Sequence, residues 1–338
     1  MSRALAAAPA ACYHAVQKIR AEAYRWRILR SRKAAIPVLS VGNLLMGGSG
    51  KTPFTIYLAG LLLKMGFRPA IVSRGYRGSN RERFLVVSDG RSGEPLVGPS
   101  VSGDEPFLMA KRLPKIPVLV GRKRIHAVEA AAKLFGCNVV VLDDGLQHLQ
   151  LERDLDIALL DGTEDHMFPM GRLREPMSAL ARADIVVLVG SASMPGSAAR
   201  YAHDVPVFRC RPVPTDLRKD LGSGDSLEVS ELAGQEVVLV SGIANPERFT
   251  RTAEGLRWLA QDHLVYPDHH VFSDAELTRI LSRRPGAVIV TTEKDWVKLP
   301  EWCTKTEKVL ALRIDIRMED EDALRASLRR TLGARMKD

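Results

Sequence analysis

The pattern of apolar and polar positions changes period repeatedly along this chain. From residue 36 onward, short apolar runs alternate with helical segments, giving candidate strands at 36–41, 69–73, 117–120, 138–143, 156–160, 184–189 and 206–210. A run such as IPVLSV, apolar almost throughout, suits a strand covered on both faces, as in parallel sheets. Residues 51–65 instead bring Phe54, Leu58, Leu61 and Met65 onto one helical face. The alternation predicts an α/β fold with a doubly wound parallel sheet over 34–215. The stretch PVPTDLRKDLGSGDS, 212–226, is rich in Pro, Gly and charge and reads as a linker or ribbon, with a boundary near 215. A second, smaller α/β domain is expected over 216–318, opening with EVVLVSG at 236–242 and continuing with strands near 263–266 and 287–291. Residues 311–317 read as a strand returning along the linker. The last segment, 319–338, reads as a helix over 319–333 docking back on the first domain.

Ahead of the first strand the period is helical. Tyr13, Val16, Ile19, Ala23 and Trp26 recur at three- and four-residue spacing, with Arg20, Arg25, Arg27 and Arg32 mostly beside the stripe and Arg30 interrupting it. Residues 1–33 carry eight Lys or Arg against the single acid Glu22, so most of the net charge of +9 sits there. Such a segment reads either as a helix lying on an anionic membrane face or as a first helix packed on its own domain. Its position outside the later motifs favours the membrane over nucleic acid. No stretch of 18 apolar residues exists, so nothing is expected to span a bilayer. The opening MSRALAAAPAAC imitates an export signal, but its alanines make a weak apolar centre. Cys12, Cys137, Cys210 and Cys303 are far apart and form no CxxC pair, which argues against zinc and disulfides and fits a reducing cytoplasm.

Between strand 36–41 and helix 51–65 lies GNLLMGGSGKT. A glycine-rich loop opening onto a helix surrounds phosphate with backbone amides, while the lysine neutralises charge and the hydroxyl residue meets Mg2+. Leu45, Met46, Gly47, Gly48, Ser49, Gly50, Lys51 and Thr52 form the expected cradle of a P-loop NTPase-like core. The usual pattern asks for glycine at position 45, where this chain has leucine, so Gly47, Gly48 and Gly50 must supply the freedom. NVVVLDD, 138–144, ends an apolar strand in Asp143 and Asp144, either of which could hold Mg2+ with Thr52. No NKxD-type guanine signature follows, which favours ATP. No GxGxxG follows the first strand, which disfavours a dinucleotide fold.

Further motifs follow in order: SRGYRG at 73–78, GDEP at 103–106, LDDGLQH at 142–148, SGIANPERF at 241–249, YPDHH at 266–270 and TTEKDWVKL at 291–299. With VGNLLMGGSGKTP ahead of them, they closely resemble the tetraacyldisaccharide 4'-kinase family, the lipid A 4'-kinases of Gram-negative bacteria, over roughly residues 10–300. The resemblance implies transfer of the ATP γ-phosphate to the 4'-hydroxyl of a lipid-anchored disaccharide 1-phosphate. It also implies two α/β domains with the site between them, and a place on the cytoplasmic face of the inner membrane. Asp104 matches the family's catalytic aspartate and His269 the histidine paired with it.

Taken alone, Asp104 followed by Glu, Pro and an apolar run is also a good helix start. Glu105 supports Asp104 or the metal. Arg74, Arg77 and Arg124 are candidates for phosphate contacts or plain surface charges, and Gln147 and His148 for a supporting role beside the paired aspartates. Zinc held by His148, His269 and His270 lacks a ligand spacing. The competing readings are a P-loop GTPase or metallochaperone, another small-molecule P-loop kinase, and a lipid-binding protein without transfer activity.

Overall fold

The computed structural model describes residues 3–335, apart from 49, 191, 192, 223, 224 and 285. In chain order the first half holds α1 (Arg3–Arg25), β1 (Val38–Asn43), α2 (Lys51–Lys64), β2 (Pro69–Ser73), β3 (Leu85–Ser88), α3 (Pro99–Ser102) and α4 (Asp104–Arg112). It continues with β4 (Val118–Val120), α5 (Arg124–Phe135), β5 (Val139–Asp143), β6 (Leu155–Leu160), β7 (Ile185–Val189) and α6 (Gly196–Ala199). The second half holds β8 (Val207–Arg218), β9 (Ser226–Glu228), β10 (Glu236–Ser241), α7 (Pro246–Gly255), β11 (Leu259–Val265) and α8 (Asp274–Arg283). It ends with β12 (Val288–Thr292), α9 (Glu293–Trp296), β13 (Val309–Met318) and α10 (Glu321–Arg335).

The strands of both halves join one mixed sheet in the order β11-β10-β12-β13-β8-β7-β6-β1-β5-β2-β4-β3, with β9 paired to β8. β1 is buried at every position, flanked by parallel β5 and β6. Its side chains alternate faces: Leu39 and Val41 join the cluster under α2, whereas Val38 joins the one under α5. On the α2 face Phe54, Leu58 and Leu62 are fully buried. Burying each such side chain is worth about 1.5–3 kcal/mol. Leu324, Leu328 and Leu332 of α10 enter the same cluster, and Arg335 Nε meets Asp154 at 2.9 Å, so the last helix closes over the first half.

The ribbon of β8 and β13 decides where the two halves face each other. β8 pairs parallel with β7 over Val207–Cys210, and its far end at Leu217 and Arg218 pairs antiparallel with Ala311 and Leu312 of β13. Between these pairings β8 advances about 25 Å beyond the end of β7. The second half is therefore carried past the carboxyl edge of the first, and its strands β10, β11 and β12, parallel to β13, point back toward that edge. Carboxyl ends of strands, where open α/β sheets bind ligands, thus confront each other across one cleft.

Several sequence expectations shift here. The boundary near 215 falls inside β8, and of the stretch 212–226, read as linker or ribbon, 212–218 is the ribbon end of β8 and Ser226 the first residue of β9. β11 begins at Leu259, four residues early, on an exposed sheet edge whose polar residues hide the strand pattern. β3, a short antiparallel edge strand, went unpredicted. α1 starts at Arg3, well before the apolar stripe. Val16 and Ile19 are exposed on it and Trp26 just beyond it, while Tyr13 makes an edge contact with Phe168. Among the described residues no helix is long and apolar enough to cross a membrane.

Candidate active site

β1 ends at Asn43 and delivers the glycine-rich loop, whose Gly47 and Gly50 take φ values of 100° and 83°. Gly50 sits at the N-cap of α2 with no side chain capping the helix, so the helix start is left open to an anion. The Lys51 ammonium donates to Asn43 Oδ1 at 3.0 Å and to the Gly47 carbonyl at 3.5 Å, and lies 3.6 Å from Asp144 Oδ1. Thr52 follows in the first turn of α2, and Ser49 lies outside the described residues. Leu45 and Met46 depart from their expected place in the cradle. Leu45 is buried in an apolar cluster and bridges to Leu173, and the Met46 N–H donates to the Arg172 carbonyl at 2.7 Å. This anchorage explains why position 45 is leucine: the side chain fills a core site instead of clearing space for phosphate.

β5 lies beside β1 with Asp143 opposite Val41, which puts the paired carboxylates next to the loop. Asp143 is buried and accepts from Ser73 Oγ at 3.1 Å and Thr55 Oγ1 at 3.4 Å. Burial, then the nearby charges of Glu105 and Asp144, push its carboxyl up to about 7. Asp144 takes φ 50° and receives Arg174 Nη1 at 2.8 Å, while its carbonyl accepts from Arg124 Nη2 at 3.1 Å. Burial opposes its charge, but Lys51, Arg174 and Arg124 outweigh burial and hold the carboxyl below the usual range. Its Oδ1 is buried without a hydrogen-bond partner. Such an orphaned carboxylate oxygen, beside a second carboxylate and a helix-start threonine, fits Mg2+, which takes one or two carboxylates and leaves its other positions to phosphate and water.

Asp104 opens α4 behind Gly103, whose φ of 93° and approach to the Tyr76 carbonyl, 2.7 Å from a Cβ built there, only glycine tolerates. Asp104 is therefore the first helical residue, and no side chain caps the helix. Its Oδ2 meets His269 Nδ1 at 2.9 Å, the two side chains being 15% and 11% exposed. His269 sits in the loop after β11 with φ 66°. Its Nε2 lies 3.5 Å from Lys294 Nζ and 3.7 Å from Asp268 Oδ2. Burial lowers the Lys294 ammonium, but Glu105 at 3.4 Å and Asp268 at 3.2 Å more than reverse this and keep it charged. Nδ1 faces a carboxylate oxygen, which can only accept, so Nδ1 carries the hydrogen toward Asp104. The loop from Gly242 to Asn245 approaches the glycine-rich loop from the same side, with Ala244 Cβ 3.7 Å from a Cβ built on Gly47.

The remaining candidates divide. Arg124 is buried beside Asp144, with Nε unpartnered. Gln147 Nε2 donates to the Asn43 carbonyl at 2.9 Å and to Glu175 at 3.2 Å, and the Gln147 main-chain carbonyl accepts from Arg20 of α1 at 3.1 Å. Burial, followed by Arg124, Arg153, Arg20 and Arg74, drives His148 down to about 3, so it is neutral at physiological pH. Arg74 is exposed at the rim of this group. Arg77 is not aimed at the phosphate cradle: it lies over the Tyr76 ring and donates to the Asp268 carbonyl at 3.2 Å, joining the two halves.

Sequence reasoning missed Asn43, Arg174, Glu175, Asp268, Lys294, Asp295 and Lys298. Asn43 was visible inside the loop motif, and the last three lie in TTEKDWVKL, which carried no role. Arg174 and Glu175 stand on irregular backbone, where no periodicity marks a buried charge.

A family model described as tetraacyldisaccharide-1-P 4'-kinase matches residues 2–333. The tetraacyldisaccharide 4'-kinase of Syntrophus aciditrophicus is 39% identical over 302 residues, spanning 83% of this chain and 80% of that protein. That of Pelobacter propionicus is 38% identical over 339 residues, spanning 95% and 90%. The crystal structure of "apo" form LpxK from Aquifex aeolicus in complex with ATP superposes with a TM-score of 0.79 at 32% identity, covering 96% of this chain and 97% of that one.

Proposed function

The chain belongs to the tetraacyldisaccharide-1-P 4'-kinase family, and we propose that its cleft carries the γ-phosphate of ATP to the 4'-hydroxyl of a lipid-anchored tetraacyldisaccharide with Asp104 as proton acceptor. The enzyme is a kinase of lipid A biosynthesis. The GTPase, metallochaperone and non-catalytic readings give way to the family match.

Gly47, Gly48, Gly50 and the start of α2 cradle the ATP phosphates, and Lys51 spreads charge over the transferring group. Thr52, Asp143 and Asp144 would hold Mg2+, which when bound neutralises developing phosphate charge. Asp104 receives the acceptor's proton through its carboxylate, and His269 orients it by the Nδ1–H contact. The observation that supports this reading is the 2.9 Å hydrogen bond between Asp104 and His269, one from each half of the chain, on the charged cleft that also contains Lys51.

In the same reading residues 34–215 act as the nucleotide lobe and 216–318 as a lobe closing on it about the β8–β13 ribbon. α1 lies on the anionic cytoplasmic face of the inner membrane. Exposed Val16, Ile19 and Trp26 enter the interface, and the surrounding arginines and lysines add about 1 kcal/mol each near the surface.

The pair is tested by a cycle. Asp104→Ala and His269→Ala each lower kcat, the former by about 100- to 10,000-fold, and the double variant is no slower than Asp104→Ala. Losses that multiply would sink the pairing.

A further inference from the structure

TTEKDWVKL forms the end of β12, then α9 and the turn after it, and three of its charged side chains lie along α4, the helix that starts with Asp104. Glu293 meets Arg112 at 2.7 Å, Lys294 meets Glu105 at 3.4 Å, and Lys298 Nζ lies 3.8 Å from Asp104 Oδ2. The last contact is the most unusual, because the Lys298 side chain is only 3% exposed. An ammonium is kept out of water only where carboxylates compensate for the lost hydration. Asp295, fully buried, does this from one side with Oδ1 at 2.8 Å. Its Oδ2 accepts from the Gly242 N–H at 2.9 Å and the Thr292 hydroxyl at 2.8 Å, so Asp295 is itself rigidly held.

Lys298 therefore has its hydrogen-bonded counter-charge in Asp295, yet its ammonium also lies within ion-pair distance of Asp104, 3.8 Å away. It addresses Oδ2, the oxygen that His269 also holds. Among the described residues no side chain or backbone N–H is hydrogen-bonded to Oδ1. A carboxylate held by the histidine alone could still turn about its side-chain torsions, for instance toward the charged Lys294. A second cation on the same oxygen removes that freedom.

We propose that Lys298, seated by Asp295, is a positioning residue for phosphoryl transfer, fixing Oδ2 of Asp104 together with His269 so that Oδ1 is presented to the acceptor hydroxyl. The inference rests on the reading of Asp104 as proton acceptor. It also gives the 291–299 motif a role: the second half carries a rigid cation to the first half's base, and that base is correctly set only when the halves are docked.

Lys298→Met alone leaves Asp295 buried without its cation and can fail to fold, so the working variant is Asp295→Asn with Lys298→Met, which removes both charges. Steady-state kinetics with ATP and the acylated acceptor, with thermal unfolding alongside, compare the parent, this double variant, Asp104→Ala and the triple variant. The double variant should unfold near the parent's midpoint and lose about 10- to 100-fold in kcat, with KM for ATP changed by less than about twofold. In the Asp104→Ala background the same two changes should cost nothing more. The inference is overturned if the double variant keeps kcat within about threefold of the parent, or if it slows Asp104→Ala by the factor by which it slows the parent. A near-parent rate for Asp104→Ala itself overturns the reading beneath, and the inference with it.

Discussion

Arg112, at the far end of the helix that presents Asp104, offers a perturbation whose size follows from the structure. Its Nη1 lies 2.7 and 2.9 Å from the two Glu293 oxygens and its Nη2 bonds Asp315, while the Arg112 and Glu293 side chains are 8% and 9% exposed. Burial raises the Glu293 carboxyl, and Arg112 and then Arg313 pull it back. Arg112→Met leaves that carboxylate Arg313, whose Nε is 3.4 Å away, and the Ile314 N–H at 3.5 Å. Stranding a buried charge costs about 3–5 kcal/mol, and the remaining arginine places this case near the lower end. With about 2.1 cal/mol/K of unfolding entropy per residue, a chain of this length has roughly 0.7 kcal/mol/K, so Tm should fall by about 4–5 °C. The sign with pH is fixed. Without Arg112 the folded-state pKa of Glu293 rises further above its unfolded value, so the folded protein binds the extra proton as pH falls, and the deficit shrinks toward acid. Thermal unfolding followed by circular dichroism should show a larger gap from the parent at about pH 8 than at about pH 5.5. Adding Glu293→Gln should restore most of the loss. A Tm change under about 1.5 °C, or a deficit that neither pH nor Glu293→Gln relieves, would refute the assignment of Glu293 as a buried charge neutralised by Arg112.

Two further outcomes are expected. Lys51→Ala and Asp144→Ala each lower kcat by about 100- to 1,000-fold, the usual cost of removing a charge that stabilises the transition state; near-normal turnover in either variant removes that residue from the proposed machinery. Deleting residues 1–30 lowers partition onto vesicles containing anionic lipid, measured by co-sedimentation, and unchanged partition would mean that α1 serves another purpose.

The first half was legible because its signals are local. A strand buried on both faces reads as an unbroken apolar run, so β1, β2 and β5 stood out, and Asp143 and Asp144 followed from where β5 must end. The pairing of Asp104 with His269 was accessible only through resemblance, since 165 residues separate them and no spacing rule spans a cleft. Residues 212–226 left linker and ribbon open because Pro212, Pro214 and the charges of β8 belong to a two-stranded ribbon rather than a covered sheet. Leu45 and Met46 were placed in the phosphate cradle by motif alignment, and tertiary packing with Leu173 and Arg172 decided otherwise. Lys294, Asp295 and Lys298 form a surface-like charged string in sequence, and only the docking of α9 against α4 shows that all three are at least partly withdrawn from water. Buried charge is the feature that sequence patterns conceal most readily, because its partners are supplied by distant segments.

The most direct measurement is transfer of label from γ-labelled ATP to tetraacyldisaccharide 1-phosphate presented in mixed micelles or anionic vesicles, with GTP as the competing donor. The expected product is labelled at the 4' position, its formation dependent on Mg2+ and on Asp104, with ATP preferred. Label released only to water, or transfer that proceeds equally well with Asp104→Ala, would contradict the assigned reaction and base.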